Sequence, residues 1–125
     1  MSKNNLPLVT IWGSGQAKRE FLYVDDMARA SIHLMNLNYE TYKNHITSHC
    51  SHINVGSGEE LMIKELAEMI KELIGYKGNI NFDLSKPDGT PRKLLNVEKI
   101  ERLGFKPEIS LKEGLKKTYT HYLGL

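Results

Sequence analysis

The order of apolar and polar positions predicts several short strands along the chain. The apolar, β-branched run Leu8–Trp12 predicts one strand, and residues 20–24 predict a second after a glycine turn. Residues 53–55 are typical of a short buried strand. Over residues 79–84 apolar and polar side chains alternate, which predicts a strand with one exposed face.

Helical periodicity predicts four helices between and after these strands. The clearest spans residues 63–74, where apolar side chains recur at intervals of three and four, and Gly75 follows as a C-terminal stop. Each of the other three is predicted to begin at polar residues that accept hydrogen bonds from free helix N–H groups. These residues are Asp25-Asp26, Asn96 and Ser110. The order β-β-α-β-α-β-α-α indicates a mixed α/β fold with an incomplete doubly wound (Rossmann) sheet.

Composition indicates one globular domain of ordinary character. Of the 125 residues, 40% are hydrophobic and 26% are charged, and the net charge of +2 is too mild to indicate nucleic-acid binding. A single cysteine cannot form an internal disulfide, and no apolar run reaches the length of a membrane span, so a cytoplasmic protein is expected. Residues 1–7 lack a signal-peptide core and are predicted to be a disordered or tag-like N-terminus before one domain over residues 8–125.

The most unusual segment is the charged loop at residues 85–93. Its two prolines and its glycine exclude a regular helix or a central strand and predict a short, rigid turn. Such a loop can offer donors to a phosphate and a carboxylate to a hydroxyl group. A charged surface turn is the alternative interpretation. The charged residues of the loop are Lys86, Asp88, Arg92 and Lys93.

Trp12 and Arg19 flank the glycine turn that follows the first predicted strand. A guanidinium group beside an indole suits a diphosphate and a stacked ring, so the two side chains could face one pocket. Trp12 is equally typical of a core anchor, and Arg19 of a solvated hairpin charge.

Two other clusters of polar residues have simpler interpretations. Asp25 and Asp26 could act as an acid/base pair, but helix capping accounts for them without chemistry. The polar connection over residues 39–51, with the residue after it, contains potential metal ligands at helical spacing. No stable helix is predicted there, so we predict no metal site. These ligands would be His45, His49, Cys50 and His52.

Three motifs of the chain resemble those of a known enzyme family. The sequences IWGSG at residues 11–15, REFLYVDDMA at 19–28 and INVGSG at 53–58 resemble the hallmarks of extended short-chain dehydrogenase/reductases. The sequence SKPDGTPRK at residues 85–93 narrows the resemblance to the GDP-L-fucose synthase family. These are NADP-dependent epimerase/reductases that act on GDP-4-keto-6-deoxymannose.

The resemblance implies a role for four side chains. In that family the equivalents of Trp12, Arg19 and Asp88 contact the GDP-sugar, and the equivalent of Lys93 lies near the diphosphate. Residues 8–125 would then be the C-terminal, substrate-binding part of such an enzyme. The expected ligand is a GDP-sugar, and the fucose precursor cannot be distinguished by sequence from related deoxy or heptose derivatives.

The family's cofactor-binding and catalytic residues have no counterparts in the chain. The spacing of Tyr39 and Lys43 matches the catalytic Tyr-x-x-x-Lys pair only by chance, because it falls in the polar connection. We therefore predict no catalytic residue, no bound cofactor and no activity for the chain alone. Its expected partners are a dinucleotide-binding domain and further copies of itself. The alternatives are a stand-alone nucleotide-sugar binding or regulatory module, a fragment of a related epimerase/dehydratase, and an interaction domain without a ligand.

One local departure concerns the helix predicted over residues 63–74. Relatives usually have threonine, which can cap the helix, where this chain has Met62. Methionine cannot cap in this way, so the start of that helix is predicted to fray.

Overall fold

The protein was analysed as a computed structural model, and the structure describes residues 7–125. Its elements confirm a mixed α/β fold with a small, partial sheet system. The strands are β1 (Leu8–Trp12), β2 (Lys18–Glu20), β3 (Glu60–Met62), β4 (Asn79–Asp83) and β5 (Arg92–Lys93). The helices are α1 (Val24–Met35), α2 (Tyr39–Lys43), α3 (Ile63–Ile74), α4 (Glu98–Arg102) and α5 (Leu111–Tyr122). Most of the predicted N-terminal segment, residues 1–6, lies outside the described residues.

Two separate sheets are formed by these strands. β1 and β4 pair in parallel, with Leu8 opposite Asn79 and Trp12 opposite Asp83. The second sheet has the order β3-β2-β5, in which β2 is antiparallel to β3 and parallel to β5. Because β4 leads into the 85–93 loop and β5 ends it, that loop connects the two sheets.

Two strand predictions need correction, and two strands were not predicted. The strand predicted at residues 20–24 is wrong, because β2 ends at Glu20 and α1 begins at Val24. Residues 53–55 form no strand, because their apolar side chains pack on the core instead of entering a ladder within residues 7–125. β3 and β5 were not predicted, since runs of two or three residues become strands only by pairing with β2.

The core is small and lies between α1, α4 and the segment after α4. Ala30, Ile100 and Phe105 are almost fully buried together, and Leu103 is buried nearby. Partly buried apolar side chains surround this cluster, namely Leu34, Ile53, Val55 and Val97. The core therefore rests on the apolar side chains of α4 and of the residues that flank it.

Asp26 connects α1 to the segment that precedes α5. The predicted capping role is wrong, because the N-cap residue of α1 is Tyr23 and its side chain makes no cap bond. The fully buried Asp26 carboxylate accepts hydrogen bonds from the backbone N–H groups of Glu108 and Ile109 and from the Arg29 guanidinium. Burial alone would raise the pKa of Asp26, but these donors outweigh it and hold the pKa below its ordinary value.

The start of α3 is held by two backbone carbonyls and by the Glu65 carboxylate, without a capping side chain at Met62. The N–H groups of Ile63 and Lys64 donate to the carbonyls of Ala17 (3.0 Å) and Gly15 (2.9 Å). The Met62 N–H donates to the Glu65 carboxylate at 2.7 Å. The fraying predicted from Met62 is therefore not supported, because the turn before β2 satisfies the free helix donors.

The ends of the other helices depart from the predictions only in detail. Asn96 lies two residues before the first residue of α4, and its side chain accepts a hydrogen bond from the Glu98 N–H at 2.9 Å. Ser110 caps α5 as predicted, accepting from the Glu113 N–H at 3.3 Å. The connection after α1 contains α2, a single helical segment of five residues.

Gly75→Ala should lower the free energy of unfolding by about 1 kcal/mol. Gly75 ends α3 with φ +68°, and a Cβ there would meet no other atom, so backbone strain alone should cause the loss. Gly75→Asn should lose clearly less, because asparagine tolerates the left-handed region. Urea denaturation of both variants measures this, and equal losses would contradict the explanation.

Candidate functional site

The 85–93 loop lies against the turn between β1 and β2. The Asp83 carbonyl accepts from the N–H groups of both Gly13 (3.0 Å) and Lys86 (3.2 Å). At the other end of the loop, the Lys18 N–H donates to the Pro91 carbonyl at 2.9 Å. We call residues 12–19 and 83–93 together the two-loop platform. Residues 84–96 are all exposed, so the platform is an open surface rather than a cavity.

Asp88 holds the centre of the two-loop platform together. One carboxylate oxygen accepts from the Ser14 N–H at 2.7 Å, and the other accepts from the Ser14 hydroxyl at 2.6 Å. Both bonds hold the pKa of Asp88 below its ordinary value, and the bond from the hydroxyl has the larger effect. Each carboxylate oxygen has two acceptor positions, so Asp88 can still accept from a ligand hydroxyl.

Arg19 holds the end of the loop nearest β5. Its Nη1 donates to the carbonyls of Thr90 (2.7 Å) and Lys18 (2.6 Å), and its Nη2 lies beside Gly89. The guanidinium is therefore positioned by the protein. The alternative interpretation, in which Arg19 is a solvated hairpin charge, does not describe this arrangement. Its remaining N–H groups form the kind of rigid fork that binds phosphate oxygens.

Trp12 lies on the surface beside the loop. The residue is 73% exposed, so the interpretation of Trp12 as a core anchor is wrong. Lys86 Nζ lies 5.3 Å from the centroid of the Trp12 ring, within range of a cation–π contact. An exposed indole with an ammonium group over its ring offers both a stacking surface and a positive charge.

The cations of β5 differ in their surroundings. Arg92 Nε donates to the Glu60 carboxylate at 2.8 Å, and Lys18 Nζ lies 3.6 Å from the same group. The hydrogen bond from Arg92 holds the pKa of Glu60 below its ordinary value, and the charge of Lys18 lowers that pKa by a smaller amount. Lys93 is exposed and lies opposite Arg19 in the β2–β5 register. Lys93 is therefore better placed than Arg92 to meet an anion.

The two segments that contain the four site residues predicted from the sequence are thus joined to each other, while the residues that join them were missed. Trp12, Arg19, Asp88 and Lys93 all lie on the two-loop platform. The sequence analysis did not identify Ser14, which binds Asp88, or Glu60, which binds Arg92. No signal in the sequence links Ser14 to Asp88, since they lie 74 positions apart.

The 56–58 glycine turn does not fit a dinucleotide pyrophosphate. The Gly58 N–H donates to the Glu20 carboxylate at 2.7 Å, and a Cβ on Gly56 would overlap the same carboxylate. Strand β3 follows this turn before α3 begins, so the turn does not lead directly into a helix N-terminus. A carboxylate already fills the position where a phosphate would need N–H donors.

The histidines and the cysteine of the 39–52 segment do not converge. His45 Nδ1 lies 2.8 Å from the Thr41 carbonyl, while the Cys50 thiol lies 3.8 Å from His52 Nδ1 and 3.9 Å from Lys99 Nζ. Within residues 7–125, no three His, Cys, Asp or Glu side chains are grouped as metal ligands.

In the part of the chain that the structure describes, no helix combines the length and the apolar character needed to cross a membrane.

Comparison with curated proteins identifies relatives of the whole chain. The chain is 54% identical over 119 residues to the GDP-L-fucose synthase of Escherichia coli strain K12, covering 95% of this chain and 37% of that protein. It is 45% identical over 120 residues to GDP-L-fucose synthase 1 of Arabidopsis thaliana, covering 96% of this chain and 34% of that protein. The chain therefore spans about a third of the length of these relatives.

Comparison with solved structures shows that the fold of this chain matches about a third of related enzyme structures. A GDP-6-OMe-4-keto-L-xylo-heptose reductase from C. jejuni matches 94% of this chain with a TM-score of 0.83 and 39% identity, and the match covers 34% of that structure. A GDP-L-fucose synthetase from Naegleria fowleri bound to NADP matches 94% with a TM-score of 0.78 and 30% identity, covering 35% of that structure.

A family model adds a match to the N-terminal part of the chain. Residues 2–56 match the model of the NAD dependent epimerase/dehydratase family, and these residues include Trp12 and Arg19. The chain is therefore related to the GDP-L-fucose synthases of the NAD-dependent epimerase/dehydratase family and corresponds to about one third of their length.

Proposed function

We propose that this chain binds a GDP-sugar on the two-loop platform. The supporting observation is that Asp88 and Arg19 join two segments more than 60 positions apart, and these segments carry Trp12, Arg19, Asp88 and Lys93. The chain would be the C-terminal, substrate-binding part of an NADP-dependent epimerase/reductase that converts GDP-4-keto-6-deoxymannose to GDP-L-fucose. The similarity to GDP-L-fucose synthases supports this assignment.

Each of the four side chains has a role suited to its chemistry. The exposed Trp12 ring stacks on a flat part of the ligand, and the Arg19 guanidinium binds diphosphate oxygens. Lys93 adds a positive charge beside Arg19. Asp88 accepts a hydrogen bond from a ligand hydroxyl with the acceptor positions that Ser14 does not use.

The single tryptophan gives a direct test of binding. GDP added to the chain should quench Trp12 fluorescence to saturation, and calorimetry should give the same dissociation constant. GDP-mannose should compete, whereas ribose 5-phosphate, which lacks the base and the diphosphate, should not. No heat and no quenching with GDP would reject the proposed function and favour an interaction domain without a ligand.

We further propose that the chain works only with the remaining two thirds of such an enzyme. An apolar face of α1 is open to solvent, with Val24 68%, Met27 43%, Ile32 58% and Met35 83% exposed. These side chains recur at helical spacing, as expected of a packing surface. The missing dinucleotide-binding domain would cover this face and supply NADP and the catalytic groups, so the chain alone would be inactive.

Ile32→Glu should prevent association with a separately produced dinucleotide-binding portion of the E. coli relative. A buried, unpaired carboxylate would oppose docking of the α1 face. Mixing the two parts and measuring co-elution and NADPH oxidation tests this, with the exposed Lys116→Glu on α5 as the matched control. Equal association of both variants would contradict the docking proposal. Activity without any added portion would contradict the predicted inactivity.

A further inference from the structure

We propose that Ser14 is the positioning residue for ligand binding, acting through Asp88 rather than on the ligand. This inference rests on the proposed GDP-sugar site and assigns to it a residue outside the four predicted contacts. Both donors of Ser14, the N–H and the hydroxyl, point at the two oxygens of one carboxylate, at 2.7 and 2.6 Å. Two parallel hydrogen bonds to a charged group are strong and restrict its orientation.

The residue before Ser14 is shaped to admit this contact. Gly13 has φ +83°, a conformation that favours glycine, and a Cβ there would overlap the Asp88 carboxylate. The Ser14 hydroxyl also accepts from the Gln16 N–H at 3.2 Å, which fixes the hydroxyl within its own turn. Ser14 therefore presents its donors from a turn that is closed around Asp88.

The Ser14–Asp88 contact lies between the attachments at the two ends of the loop. On one side the Asp83 carbonyl joins Gly13 to Lys86, and on the other the Thr90 carbonyl accepts from Arg19. Without the central contact, residues 86–90 would be held only at their ends. Asp88 and Arg19 would then occupy the arrangement that binds a ligand for a smaller fraction of the time, and the apparent affinity would fall by that fraction.

Ser14→Ala should therefore weaken GDP binding about tenfold while leaving the ligand contacts themselves intact. Ser14→Thr keeps the hydroxyl and should recover most of the affinity. Ser48→Ala is the matched control, because Ser48 is an exposed serine in the turn between Thr47 and Cys50, away from the platform. Calorimetry and Trp12 fluorescence give the dissociation constants, and urea midpoints show that the variants remain folded.

A second measurement tests positioning without any ligand. Amide hydrogen exchange at Lys18, whose N–H donates to the Pro91 carbonyl, should become several-fold faster in Ser14→Ala. Exchange within β1 and β4 should not change, because their ladder does not depend on the loop. Exchange at Lys18 that matches the wild type would overturn the positioning role, whether or not GDP binds.

The two hypotheses fail in different ways. If the wild-type chain does not bind GDP, the proposed function is wrong, and the exchange data alone decide whether Ser14 orders the loop. If the wild type binds GDP and Ser14→Ala binds equally well, the proposed function stands and the role of Ser14 is rejected. Weaker binding that Ser14→Thr does not recover would also reject it, because loss of the hydroxyl would not be the cause.

Discussion

Asp26→Asn should lower the free energy of unfolding by about 2 kcal/mol at neutral pH. The carboxylate is fully buried and accepts from two backbone N–H groups and from Arg29. An amide can keep some of these bonds but must turn its NH₂ group toward one of the donors. Because the contact joins α1 to the segment before α5, its loss should loosen a core that contains few fully buried residues.

Urea denaturation measures this loss, and Asp25→Asn provides the control. Asp25 lies in the same first turn of α1 but is exposed, so its replacement should change stability by no more than about 0.5 kcal/mol. Equal effects of the two substitutions would show that the helix dipole, and not the buried contact, accounts for the stabilisation.

The stability difference between wild type and Asp26→Asn should depend on pH. The pKa of Asp26 is lower in the folded protein than its ordinary value of 3.8, so the folded state favours the ionised form. The stabilisation from ionised Asp26 should be complete above the unfolded pKa and should disappear as pH falls through the folded pKa. The denaturation curves of the two proteins should therefore differ at neutral pH and approach each other as pH falls below 3.8 and through the lower pKa of folded Asp26.

Arg19→Ala should weaken GDP binding at least about 30-fold, equivalent to about 2 kcal/mol. The substitution removes the guanidinium proposed to bind the diphosphate and also the bonds to the Thr90 and Lys18 carbonyls. Arg19→Lys should recover little, because an ammonium group cannot reproduce the two-pronged geometry. Calorimetric titration of GDP into each variant measures the effect.

Arg102→Ala is the matched control for this prediction. Arg102 is an exposed arginine on α4 that pairs with Glu98 and lies outside the two-loop platform. Removing the same charge there should leave the dissociation constant for GDP unchanged within about twofold, since screened surface charges at a distance contribute little. If both alanine variants lose affinity equally, net charge rather than the position of Arg19 controls binding.

The long apolar patterns of the sequence predicted the correct elements. α3, with its apolar stripe and Gly75 stop, and the strands β1 and β4 all occur as expected. These elements are determined locally, because the spacing of apolar residues decides which face can be buried. The sequence also marked a stiff, charged loop and a Trp–Arg pair as candidates, and the family resemblance selected the four predicted site residues among them.

Short strands and polar contacts could not be predicted in this way. Strand β2 was placed too late, and β5 was missed, because three-residue and two-residue segments become strands only by pairing with partners far away in the chain. Asp26 shows the same limit. Its position suggested a local cap, whereas its two backbone donors, the N–H groups of Glu108 and Ile109, lie more than 80 positions away.

The sequence by itself thus determined the main helices, two parallel strands and the residue types from which a ligand site could be made. Only the tertiary structure decided that the β1–β2 turn and the 85–93 loop close on each other through Ser14 and Asp88. The physical reason is that burial periodicity is a property of neighbouring residues. A hydrogen bond between distant segments depends on how the whole chain folds, and the sequence of either segment alone contains no trace of it.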